Sequence, residues 1–271
     1  MIIDVQFEQV KFHIGAPCLA ANLVKRASDL PEIGGDGDLH VLPTDKYRQH
    51  LRSFVNTGEE NFNLTLAERR KQDKFRARLG QYKYLSASQH VMLSHAKSTI
   101  RDGIILPGAE ARVERLASAF QKSPLELHLT ITGLTRYLHS LHAAHRSGSL
   151  SEYVSGSIPS WSEAVRRIRE ASEAFRLVVW DFSDPARVAL PFTMTLLHAR
   201  EAWRGAITRP VDQIVLQEDT LERMFVRERF SAELTGLLQS RYAQDLEEIA
   251  QLENTVLIGG ATADQMMASA E

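Results

Sequence analysis

VKFHIGAPCLAANLVKRASDL, residues 10–30, is the stretch that decides the fold. Val10 to Ile14 is apolar and alternates in part, and Gly15 closes it, the pattern of a strand that runs into a turn. Ala16 to Leu30 follows with good helix formers, so the segment reads as strand, tight loop, helix. Working outward, Gly34, Gly35 and Gly37 mark a loop, and a short strand is expected around His40 to Leu42. Thr44 is placed to cap a helix that Gly58 stops. Thr65 with Glu68 forms a capping-box pattern for a charged helix to about Leu79.

The same alternation continues. Val91-Met92-Leu93-Ser94 is a strand candidate, and Val113, Leu116, Ala117 and Phe120 recur at helical spacing within a helix over 109–120. Leu125 to Ile131 is a strand with apolar residues at every second position, and Thr135 to Arg146 returns to helix until Gly148. Ser160 and Glu163 open a helix to about Phe175, and Leu177 to Trp180 is the next strand. Strands that alternate with helices in this way predict an α/β fold, a parallel sheet covered by helices on both faces. From Asp184 onward the pattern predicts helices alone, with Ser231 capping a long amphipathic one. The expectation is a single domain over 1–260 and a loose C-terminal tail over 261–271, which lacks periodicity.

Composition narrows the function classes. The chain has 271 residues, 44% of them hydrophobic and 24% charged, with a formal net charge of -2, as in ordinary globular proteins. That near-neutral balance argues against a dedicated nucleic-acid binder, which needs a clustered basic surplus. The nearest such cluster, Arg69, Arg70, Lys71, Lys74, Arg76 and Arg78, is interrupted by Asp73 and is better explained as a solvated helix face. A lone cysteine, Cys18, cannot form an intrachain disulfide, the N-terminus has no signal-peptide pattern, and no apolar run approaches membrane-spanning length. A cytoplasmic location with no membrane partner is therefore expected.

The first loop carries a resemblance. Phe12-His13-Ile14-Gly15-Ala16-Pro17 resembles the opening of the phosphosulfate-binding loop of bacterial sulfotransferase-like proteins. Leu129 to His142, LTITGLTRYLHSLH, is similar to the strand, loop and helix that hold the donor's 3′-phosphate in that family, with Tyr137, Leu138 and Ser140 at the usual positions. Val91 to Ser94 falls where the family has an intermediate strand, and Arg241-Tyr242-Ala243-Gln244-Asp245-Leu246 resembles a C-terminal helix of many bacterial members. The resemblance implies a three-layer, P-loop-type sheet with a helical C-terminal part. It also implies 3′-phosphoadenosine 5′-phosphosulfate as the donor if the chain is active.

The departures fall on the donor site. Where the family places a lysine, a glycine and threonines after the proline, this chain has Cys18, Leu19, Ala20, Ala21 and Asn22. The family's 3′-phosphate arginine aligns with Thr132, while Ser140 is retained and Arg136 lies one turn on as a possible substitute. After the intermediate strand, His95 stands where relatives show an acid and is the candidate general base. The donor site implied is thus degenerate: Gly15, Cys18, Asn22, Thr132, Arg136 and Ser140.

Three readings follow. The first is a sulfotransferase-like protein with a decayed or repurposed donor site that takes an anionic or carbohydrate ligand weakly. The second is an active sulfotransferase in which Lys97, Arg136 or Lys25 replaces the lost cations. In the third, the old cleft is filled and the chain is an interaction module.

Other residues have blander readings. His139, His142 and His145 fan over one side of a helix, but no carboxylate or thiolate completes a metal set, so no metal site is expected. Trp161 and Trp180 read as core. Trp203, with Arg200, Arg204 and Arg209, borders either an exposed helix surface or a cleft for an acidic ligand.

Overall fold

The computed structural model describes residues 5–15, 19–42, 79–88, 100–145, 153–154, 156–225 and 230–268, with Val55, Arg70, Lys74 and Ala77. In chain order the elements are β1 (Gln9–Gly15), α1 (Leu19–Ser28), α2 (Pro31–Gly34), β2 (Leu39–Val41), β3 (Tyr84–Ser88), β4 (Ile100–Arg101) and β5 (Ile104–Ile105). These are followed by α3 (Ala109–Ala119), β6 (Leu125–Ile131), α4 (Leu134–His145), α5 (Trp161–Glu170), β7 (Phe175–Asp181) and α6 (Pro185–Leu196). The chain ends with α7 (Arg204–Phe225), α8 (Ala232–Ala250), β8 (Thr255–Ile258) and α9 (Gly260–Ala268).

The predicted α/β architecture is present. Six strands form one sheet in the order β2-β3-β1-β6-β7-β8, and every pairing in it is parallel. Alternation in β1 and β6 sorts their side chains between two faces. Val10, Phe12, Ile14, Leu125, Leu127, Leu129 and Ile131 join a core with residues of α3, α4, α5 and α8. A second core, on the other face, gathers residues of α1, α6, α7 and α9. The result is three layers, helix, sheet and helix. Trp161 and Trp180 are both fully buried, as expected of core residues.

Two of the predicted caps exist. The Ser160 hydroxyl accepts from the Glu163 amide at 3.1 Å, and the Ser231 hydroxyl accepts from that of Leu234 at 3.2 Å. The first helix, expected over Ala16 to Leu30, is α1 over Leu19–Ser28, and the expected start at Ala16 lies outside the described residues. The helix that Ser160 opens stops at Glu170, and Phe175, expected to end it, instead starts β7.

Two further expectations need correction, and one strand was not expected. The strand beside β1 is β3, whose sequence YLSAS is too short and too rich in small polar residues to stand out, although four of its five residues are buried. The expected strand at Val91 to Ser94 and the helices expected from Thr44 and Thr65 lie outside the described residues or touch them only at isolated positions. The region after Asp184 is not helical throughout, because β8 adds a sixth parallel strand on β7. The tail expected to be loose forms α9 through Ala268, held by the burial of Ala263 in the second core and by an ion pair between Arg187 and Asp264. Periodicity missed it because its packing rests on the small Ala263 and the partly buried Met266, too few apolar positions to make a pattern.

Candidate functional site

In an open parallel sheet, ligands sit beyond the carboxyl ends of the strands, where neighbouring connections leave on opposite faces. Here that place lies between β1 and β6. The chain leaves β1 into α1 on one face and leaves β6 into α4 on the other.

Gly15 ends β1 with φ +127, a conformation that other residues rarely adopt. A Cβ there would meet the Thr130 backbone oxygen at 2.7 Å and nitrogen at 2.9 Å, so glycine is required for β1 and β6 to approach this closely. Just beneath, His13 is fully buried and bridges three strands. Its Nδ1 lies 2.7 Å from Ser88 Oγ at the end of β3, and its Nε2 lies 3.0 Å from Thr130 Oγ1 in β6. The Phe192 ring meets it edge-on at 5.2 Å.

On the β6 side, Thr132 is buried and its hydroxyl points to the Phe182 carbonyl at 3.5 Å. Its own carbonyl accepts from Trp161 Nε1 at 2.9 Å. With its hydroxyl turned to Phe182, Thr132 offers an anion no side-chain donor. The space beside Gly133 is open, and in the first turn of α4 the Thr135 hydroxyl is enclosed without a hydrogen-bond partner. Arg136 follows, half-buried.

Along the β7 edge, Tyr242 donates to Asp181 Oδ1 at 2.5 Å and accepts from Ser183 Oγ at 3.0 Å. Burial, with the neighbouring Asp181 charge, pushes the Tyr242 phenol well above its ordinary value, so it stays a donor. Asp245, wholly buried one turn further along α8, takes the Trp161 amide at 2.9 Å, the Ser160 hydroxyl at 2.8 Å and Arg241 Nη2 at 2.7 Å. The Arg-Tyr-x-x-Asp run of the C-terminal helix therefore serves to anchor α8 to the start of α5 and the end of β7.

The expected donor-site residues divide accordingly. Gly15 ends β1, Thr132 follows β6 and Arg136 lies in the first turn of α4, so the three positions fall at the same, carboxyl end of the sheet. Ser140 is half-buried six residues into α4, and Asn22 is exposed on α1. Cys18, His95 and Lys97 lie outside the described residues. Lys25 is exposed in the last turn of α1. Leu134 is buried in the core beneath α4 and does not stand in the crevice.

His139 packs against Phe230 at 5.2 Å, and among the described residues no group of three or more His, Cys, Asp or Glu could hold a metal. Also among the described residues, no helix is long and apolar enough to cross a membrane. The His13, Ser88 and Thr130 line was not read from the sequence. Its members sit in three separate segments, and only strand register brings them together.

The fold is that of a three-layer α/β protein with a six-stranded parallel sheet. No protein-family model matches the sequence, and no curated protein matches it. Among solved structures, a sulfotransferase from Alicyclobacillus acidocaldarius aligns over 88% of this chain and 92% of its own, at 12% sequence identity and a TM-score of 0.46. A likeness at that level assigns no chemistry to this chain.

Proposed function

We propose that the chain is a sulfotransferase-like protein whose phosphosulfate-donor site is decayed or repurposed, impaired in sulfuryl transfer and retaining weak binding of an anionic or carbohydrate ligand. The observation that carries this reading is Thr132. Where the resembled family offers a guanidinium, this chain has a buried hydroxyl bonded to Phe182 and a carbonyl taken by Trp161. A charge-assisted bond to phosphate is worth roughly 1.5–3 kcal/mol, and nothing at position 132 can supply one. What remains is the first turn of α4, where Arg136 stands beside the amides of a helix start, a favourable place for an anion.

The test is calorimetric titration of the full chain with 3′-phosphoadenosine 5′-phosphate. Weak binding that Arg136→Ala abolishes is expected. Tight, stoichiometric binding would sink the proposal in favour of an active, rearranged enzyme.

A further inference from the structure

The opposite end of the same sheet holds a second opening. The starts of β1 and β3 and the end of α6 border a cleft of about 680 Å³, within the range of small-molecule sites. From Lys11 on its floor to Gly15 at the crevice is roughly 13 Å along the strand, so the two sites are separate.

Three observations converge on this cleft. His198 lines it in a left-handed backbone conformation, φ +49, which costs a non-glycine residue free energy and clusters at ligand sites. Its ring stacks on Tyr84 at 4.7 Å, and its Nε2 is enclosed without a hydrogen-bond partner. Lys11 donates to the Thr195 carbonyl at 2.7 Å, while its ion-pair partner Glu126, at 3.9 Å, is shared with Arg176 at 3.2 Å. Two cations on one carboxylate leave positive charge at the floor.

The rim supplies little more. Arg200 lies on Trp203 and pairs with Asp36 and Asp38, and Arg204 pairs with Glu201. The rim arginines Arg200 and Arg204 face three carboxylates, Asp36, Asp38 and Glu201, so the positive excess is confined to the floor, where Lys11 and Arg176 share Glu126. Pro191, Met194 and Met266 give the walls an apolar surface.

We propose that this cleft binds a small organic monoanion, a carboxylate carried on an apolar body, with Lys11 and His198 Nε2–H holding the carboxylate and the methionine wall holding the body. One spare charge suits a single carboxylate better than a phosphate dianion, because both rim arginines already have carboxylate partners. Of the residues read from sequence as bordering either an exposed helix surface or a cleft for an acidic ligand, Arg200 and Arg204 line this cleft, and Trp203 and Arg209 are not among its lining residues.

The experiment titrates the full chain with benzoate and hexanoate, followed by calorimetry and by the histidine ring NMR signals. Benzyl alcohol and inorganic phosphate serve as the uncharged and the bodiless comparators. Saturable one-site binding of both carboxylates is expected, weakened at least about tenfold in His198→Asn, which tolerates the same backbone, and in Ala199→Trp, which fills the cleft. If one variant does not fold, the other reads the site. Absence of saturable carboxylate binding overturns the proposal. So does equal binding of benzyl alcohol or phosphate, or unchanged affinity in a folded variant.

Discussion

The two faces of the central strands are built from different chemistry. On one, β1 and β6 present Val10, Phe12, Ile14, Leu125, Leu127, Leu129 and Ile131, all buried among apolar helices. On the other, the same strands present Lys11, His13, Glu126, His128 and Thr130, equally buried. Parallel strands covered on both sides ordinarily read as continuous apolar runs. The first face follows that rule, whereas the second breaks it and persists only because each polar group has a partner.

The partners are specific. Trp180 Nε1 donates to His128 Nδ1 at 2.9 Å, so His128 is protonated at Nε2 and donates to Glu126 at 3.2 Å. Burial keeps that imidazole below its ordinary pKa and neutral. Burial alone would raise the Glu126 carboxyl, but the His128 hydrogen bond and the charges of Lys11 and Arg176 outweigh it and hold it at about 2. Lys11 is lowered by its own burial, against the attraction of Glu126. Both ends of this polar face reach a candidate site, His13 toward the crevice and Lys11 toward the cleft.

The comparison breaks most visibly at Glu126. Glu126→Ala leaves the buried ammonium of Lys11 without its carboxylate and should cost about 3–5 kcal/mol in urea unfolding. Adding Lys11→Met should recover much of that, because an apolar pair replaces a broken ionic one. Leu127→Ala, one residue along on the apolar face, should cost a similar 2–5 kcal/mol by leaving a cavity. No second substitution at an ionic partner should rescue it. Equal rescue on both faces, or none on either, would mean the faces do not differ in kind.

Acid should separate the faces by a smaller amount. Glu126 has a folded pKa of about 2 against 4.5, so its contribution is complete above pH 4.5 and is lost as the pH falls toward 2. That loss is up to about 3 kcal/mol. His198, held at about 3 by burial and by the Lys11 charge, binds protons more readily unfolded, so it adds a loss that begins below 6.5. Glu126→Gln should remove the lower limb of the stability profile and His198→Asn the upper. A wild-type profile flat from pH 7 to 3 would contradict both assignments.

Much of this division was legible in the strands. The period of two in Leu125 to Ile131 already assigns leucines and isoleucine to one face and Glu126, His128 and Thr130 to the other. Gly15 was legible as a turn glycine, although the reason for it, the Thr130 backbone, lies over a hundred residues away. What could not be read depends on register and on short elements. β3 and β8 have five and four residues and too little pattern to announce themselves, yet β3 supplies Ser88 to His13 and Tyr84 to His198. The cleft was half visible, as arginines around Trp203, because its floor comes from β1 and only the fold joins them.

The finest version of the comparison lies within one strand and its turn. Thr130 and Thr132 are both buried and two residues apart, yet only the first belongs to the polar line, bonded to His13 at 3.0 Å. Thr130→Val strands a buried imidazole nitrogen and should cost about 1–3 kcal/mol. Thr132→Val gives up a bond of 3.5 Å, at the limit of useful geometry, and should cost less than about 1 kcal/mol by thermal unfolding. If Thr132→Val proves the costlier, the threonine at 132 is held by packing of the fold. If it is nearly silent, the fold does not demand a threonine there, and the lack of a guanidinium at 132 is a property of the site and not a by-product of folding.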